Sequence, residues 1–486
     1  MVTACTTNFS HYKDVLFLIM SNRDNKKIWL MWLGLMFIFI IYLTYTLTVS
    51  KDKSIFMPGE LTSGHHQIGV ACDACHGESF SDKETIQNSC IECHGDQRKK
   101  PFDSHPREKF TDPRNADRLE NINAIYCVTC HVEHQPDLTD KTGLTQAKDF
   151  CVHCHQDIAK DRPSHKGLEF NSCASAGCHN YHNNRSLYTD FLVKHMNEDD
   201  ILKTAVVPEK ELASVLEEIT SYPHERYPVI PLTLKNMDAP PKVLLKTSEN
   251  IKHDWLNTSH AKVGANCSSC HITESEDDAV FEWENKPDHK SCIKCHDTEV
   301  NHFMQGKHGM RLKQGLTAMT PADSRLPMKA DNEEEKIDCN SCHQAHDYDL
   351  HTASVDSCLS CHNDNHSLAY KESSHYTLWN KEQSGELEKG SGVSCATCHM
   401  PRVAVDVNDW LRRTVVQHNQ NANLVPNEKM IRSTCMNCHG LGFSLDSLAD
   451  ESLIKNNFNG RPKLHIESID MARNDNERHL KSINNE

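Results

Sequence analysis

Cysteine followed directly by histidine recurs through this 486-residue chain: 22 of its 23 cysteines fall into eleven units that each close on Cys-His. Ten units read CxxCH. They are Cys72, Cys75, His76; Cys90, Cys93, His94; Cys127, Cys130, His131; Cys151, Cys154, His155; Cys267, Cys270, His271; Cys292, Cys295, His296; Cys339, Cys342, His343; Cys358, Cys361, His362; Cys395, Cys398, His399; and Cys435, Cys438, His439. The eleventh, Cys173, Cys178, His179, has four residues between its cysteines. Two thiols two residues apart can form thioethers with the vinyl groups on one haem edge, and the next residue then offers its imidazole to the iron. Four intervening residues can loop out and still place both sulfurs. CxxC pairs also serve zinc, and an exported chain could form disulfides, but neither use requires histidine after every second cysteine. The pattern predicts eleven covalently bound c-type haems.

The units repeat in order. HHQIGVACDACH is echoed by SHAKVGANCSSCH, SCIECH by SCIKCH, CVTCHVEH by CNSCHQAH, CVHCHQD by CLSCHND and CASAGCH by CATCHMP. A five-unit module is thus duplicated, with the Cys435–His439 unit outside the pairing. The chain has 33 histidines, so the eleven motif histidines leave 22, enough for a sixth ligand at every iron. Equivalent intervals pair His65 with His260, His105 with His308, His134 with His346, His165 with His375 and His195 with His418, and His465 is the choice for the last unit. Imidazole suits iron, which makes these the expected distal ligands. His11, His224, His351 and His479 read as surface or hydrogen-bonded residues, and Cys5 is given no role.

Elements must position these groups with little aliphatic material. Hydrophobic residues are 37% of the chain, too few for two large cores, so porphyrins are expected to form the interior. The fold class expected is mainly α with much irregular structure: a haem-packed multihaem cytochrome c, with two related modules after one transmembrane helix. Ile28–Val49 holds no charge and is long enough to span a bilayer. Arg23, Lys26 and Lys27 precede it, and no A-x-A site comes after it, which favours an uncleaved anchor with a cytoplasmic N-terminus. Met20 starts a natural lead-in, so residues 1–19 read as an upstream extension. The organisation expected is 1–27 cytoplasmic, 28–49 anchor, 50–200 a five-haem module, 201–252 a linker, 253–445 a six-haem module and 446–486 a tail. Within the linker, Ile201–Ile219 has helical character around Pro208, and Pro223, Pro228, Pro231, Pro240 and Pro241 stiffen the stretch after it. The net charge of −16 argues against a nucleic-acid partner.

Residues 253–445, through CLSCHNDNHSLAYKESSHYTLW and GVSCATCHMPR, resemble the superfamily of hydroxylamine oxidoreductase, cytochrome c-554 and pentahaem nitrite reductase. The N-terminal half resembles the compact cytochrome c3-like (class III) fold, where CX4CH units and CxxCHxxH segments also occur. All eleven units here end in His, whereas the nitrite-reducing relatives typically give their catalytic haem a Lys. No tyrosine takes the cross-linking role found in hydroxylamine oxidoreductases.

A haem held by two histidines passes electrons but has no open position for a substrate. The leading expectation is an electron carrier in a bacterial inner membrane, single-pass with its bulk in the periplasm. Its partners would be a quinol-side donor in the membrane and a periplasmic redox protein or terminal reductase. The rival is an oxidoreductase acting on hydroxylamine, nitrite or tetrathionate at one open haem, with His375 and Tyr376 as proton donors.

Overall fold

The computed structural model describes residues 23–50, 52–77, 82–99, 103–140, 143–147, 149–162, 165–166, 180–183, 187, 189–205, 230–238, 248–274, 281–406, 412–424 and 428–484. The Cys173–His179 unit, Cys5, His11, His224, the extension before Met20, most of the Ile201–Ile219 helix and Pro223, Pro228, Pro240 and Pro241 lie outside the described residues. Two units separate, residues 1–60 and residues 61–486.

The described part of the first unit is dominated by a long helix, α1 (Arg23–Thr48), with a short 3-10 turn at Ser54–Phe56 after it. Its apolar stretch of 23 residues, Lys26–Thr48, has a mean hydropathy of 2.1 and no buried window. A run of this length and exposure fits either a membrane anchor or a signal sequence. Lys53 folds back to donate to the carbonyls of Thr46 and Leu47, meeting the negative end of the helix dipole.

The second unit is mostly short helices and irregular chain. The Cys90–His94 motif lies in the longer α2 (Lys83–Lys99). Other motifs make helices of one turn, as at Cys267–His271, Cys339–His343 and Cys395–His399. Each of these three starts on a polar residue just before its first cysteine. The side chains of Asn266, Asp338 and Ser394 accept from backbone N–H groups of the first turn, so the cap is written into the motif's own flank. A helical turn puts residues i, i+3 and i+4 on one face, which gathers both sulfurs and the imidazole.

Four further helices matter to the sites: α3 (Thr189–His195), α4 (Met310–Lys313), α5 (Leu441–Ala449) and α6 (Ser468–Asn484). Aliphatic packing is sparse among the described residues. The larger cluster joins α3, Met430 and Ile431, α5 and α6, and the smaller is Val355, Leu359 and Tyr370. The short α4 packs near residues 66–68. Among the described residues, β1 (Ile272–Glu274) pairs antiparallel with β2 (Phe281–Trp283), and β3 (Arg402–Asp406) with β4 (Arg412–Val416).

The tail is tied down by charge. His465 sits between two carboxylates, its Nδ1 3.0 Å from Asp446 and its Nε2 2.7 Å from Asp470. These bonds hold its pKa up at about 9, above the ordinary 6.5. Stability from this contact is therefore fully present below pH 6.5 and lost as pH rises through about 9. Protection of α6 from hydrogen exchange, taken relative to the intrinsic rate at each pH, is expected to fall across that range, and His465→Gln to remove that fall; an unchanged protection profile in the variant would show that the contact does not hold the tail.

Paired histidines form the candidate redox sites

Ten motif histidines are described, and each faces a second histidine. In the first half, His76 faces His134 with ring centres 6.3 Å apart, His94 faces His65 at 5.9 Å, His131 faces His182 at 6.4 Å and His155 faces His105 at 6.0 Å. In the second, His271 faces His346 at 5.8 Å, His296 faces His260 at 5.8 Å, His343 faces His418 at 6.2 Å and His362 faces His308 at 6.3 Å. His399 faces His366 at 6.0 Å and His439 faces His375 at 6.3 Å. Metal–imidazole bonds of about 2.0–2.1 Å, with roughly 1.1 Å from each nitrogen to its ring centre, put two imidazoles across one metal about 6.2 Å apart. All ten separations lie near that value. Each gap is the width of one metal ion.

The pairing obeys the duplication. In both halves the first motif takes the histidine three residues past the third motif, and the second takes the histidine seven positions ahead of the first cysteine. The third motif takes a downstream histidine, and the fourth takes one from the interval between motifs two and three. His134 and His346 share a further mark: their φ angles are +63° and +73°, in the left-handed region that non-glycine residues rarely occupy. Such backbone costs about 1–3 kcal/mol and persists where surrounding structure requires it.

Neighbouring groups fix the ring orientation. The Nδ1 atoms of His105, His131, His271, His366, His418 and His439 donate to the carbonyls of Tyr181, Gly143, Glu284, Ile454, Val416 and Asp200, at 2.5–2.9 Å. A carbonyl can only accept, so the proton sits on Nδ1 and Nε2 keeps its lone pair for a metal, which at His366 the Asn457 amide also approaches, 3.3 Å away. His65 does the same against a carboxylate, with Glu133 Oε1 2.7 Å from its Nδ1. The β1–β2 hairpin is what brings Glu284 and the stacked Trp283 ring, 4.7 Å away, onto His271. Burial pushes His308, His375 and His399 down to about 4, so they stand neutral and able to ligate. His308 is placed by Gly306 and Gly309 on either side: a Cβ at Gly309 would collide with the Phe303 carbonyl.

The twenty described cysteines form no disulfides. Among the described residues no three His, Cys, Asp or Glu side chains converge as a metal-binding group, so the arrangement is one of pairs rather than zinc clusters. First cysteines of successive motifs lie close together: Cys90 beside Cys127, Cys292 beside Cys339 and Cys358 beside Cys395.

Of the expected second ligands, His65, His105, His134, His260, His308, His346, His375 and His418 each face a motif histidine. Two, His465 and His195, are placed differently. His465 has both ring nitrogens on carboxylates, which leaves no lone pair for iron, and the ring against His439 is that of His375. His195 packs at a tilt against Phe191 and meets Glu198, and His182 rather than His195 is the counterpart of His418. His165 faces none of the ten described motif histidines, and His179 lies outside the described residues. Sequence reasoning missed His182 and His366. His182 stands three residues past His179, the same CHxxH spacing that marks His134 and His346, so a signal was present. Tyr376 packs its ring 5.2 Å from Tyr370, beside the small cluster around Val355.

The class these sites support is a multihaem c-type cytochrome. The cytochrome c3 family model matches the chain twice, at residues 64–156 and 259–363, which implies covalently bound c-type haem. The second stretch falls in the half expected to be like hydroxylamine oxidoreductase, and the match there is to cytochrome c3. No curated protein and no solved structure matches this chain.

Proposed function

We propose that the chain is a membrane-anchored periplasmic cytochrome that carries electrons along eleven haems, each held between two histidines, from a quinol-side donor to a periplasmic acceptor. The observation supporting this most strongly is that all ten described motif histidines face a second histidine at the separation one metal requires. Haem iron held there would supply one-electron exchange between its ferric and ferrous forms. The protein's residues do the rest. The two imidazoles of each pair would hold the iron from both sides and leave substrate no place on it, Nδ1 bonds keep the rings aimed, and the closeness of Cys90 to Cys127 brings successive sites next to one another. The net charge of −16, with the carboxylates haem would add, favours an acceptor presenting a basic or metal-rich surface.

The rival reading needs an open iron beside His375 and Tyr376, but His375 faces His439. The haem-loaded protein is expected to exchange electrons with redox partners yet not to turn over nitrite, hydroxylamine or tetrathionate. Sustained consumption of any of the three would move the assignment to the oxidoreductase. A finer check is His134→Met or His346→Met, which should each shift one midpoint potential upward, as Met/His ligation does. An unaltered titration in both would mean that neither residue binds iron.

A further inference from the structure

One seam between the two halves carries cations that the pairing of histidines does not explain. His65 and His94 face each other in the first half, and His308 and His362 in the second. Between these sites, residues 61–67 lie against residues 311–325. His66 Nε2 is 3.0 Å from the Asp323 carbonyl, and Arg325 donates to the Leu61 carbonyl at 3.3 Å. Arg311, three residues after His308, donates to the Gln67 carbonyl at 2.9 Å, two residues past His65. Its other bonds go to the carbonyl and hydroxyl of Thr317, so all its hydrogen-bond acceptors are neutral. Lys313, on α4, brings its Nζ to 4.0 Å from the sulfur of Cys93, one of the two cysteines of the His94 unit. Lys313 stands only five positions after His308, so one short segment reaches from a histidine of one site to a sulfur of the other.

Charge beside a redox centre biases its two states. A cation favours the form with one more electron, and the bias grows where water is excluded. Glu133, bonded to His65 on the same site, pulls in the opposite direction. We propose that Arg311 and Lys313 are positioning residues for the His65–His94 site, holding positive charge against it so that its reduction potential is raised, at the seam where that site adjoins the one of His308 and His362. This rests on the reading of the paired histidines as haem ligands.

The test is a potentiometric titration of the haem-loaded protein with Arg311→Gln and Lys313→Gln, singly and together, alongside the mass of the peptide bearing Cys90 and Cys93. One midpoint should fall, by roughly threefold in the reduction equilibrium for each charge removed, with the other midpoints unmoved. Lys313→Arg should restore it. Lys313 is exposed, so its single substitution keeps the test valid even if the double variant folds poorly. Haem found on the peptide together with unchanged midpoints would overturn the tuning role alone. A wild-type peptide without haem would overturn the role and the cofactor assignment together.

Discussion

His375→Ala is expected to create one carbon monoxide-binding iron per chain in the reduced protein, where the wild type offers none among its ten described sites. The reason is geometric. His375 faces His439 at 6.3 Å, it is buried enough to be held neutral, and removing its ring leaves one axial position with no replacement of the same reach. Optical titration with carbon monoxide would count the opened sites. His366→Ala, which uncovers the partner of His399, should behave alike and serves if the first variant folds poorly. His465→Ala should open nothing, because that ring is engaged by Asp446 and Asp470. Carbon monoxide binding by the His465 variant and not by the other two would reverse the assignment at the last unit.

The second large effect concerns folding. Without attached haem the chain is expected not to fold. The larger aliphatic cluster serves mainly residues 187–196 and 430–472, and the smaller has three buried residues. Ordering each backbone residue costs about 1–2 kcal/mol, and burial of that size cannot offset the cost over the whole second unit. Facing histidines with nothing between them add little. Cys358→Ser with Cys361→Ser should remove one haem and cost at least the roughly 3–5 kcal/mol of a deleted large core side chain. Thermal unfolding tracked by circular dichroism checks both statements. Cooperative melting of the haem-free chain near the temperature of the loaded protein would show that side chains alone make the core.

Cysteine and histidine spacing made one histidine of each of the ten described pairs legible, because it sits directly after its cysteine. The second side was legible wherever the duplication repeated an interval, as for His65 with His260 and His134 with His346. It was obscured where the ring comes from a distant or crowded segment. His366 stands four residues past His362 yet faces His399, and nothing in its neighbourhood declares that choice. His375, picked out by its interval but not assigned to a unit, faces His439 of the last one. His465 looked suitable in its apolar LHI setting, but Asp446 and Asp470 approach it only in the folded chain. Motif helices arise from local capping by Asn266, Asp338 and Ser394, whereas the positive φ at His134 and His346 arises from tertiary demand and leaves no local trace.

Whether every iron is closed is decided by electron paramagnetic resonance of the oxidised, detergent-purified protein, with iron counted per chain. Every iron gripped by two histidines gives only low-spin ferric signals, and that is the result expected. A high-spin ferric signal near one per chain, altered by nitrite or hydroxylamine, would mean the reverse: one iron would be open, and the protein would be an enzyme rather than a carrier.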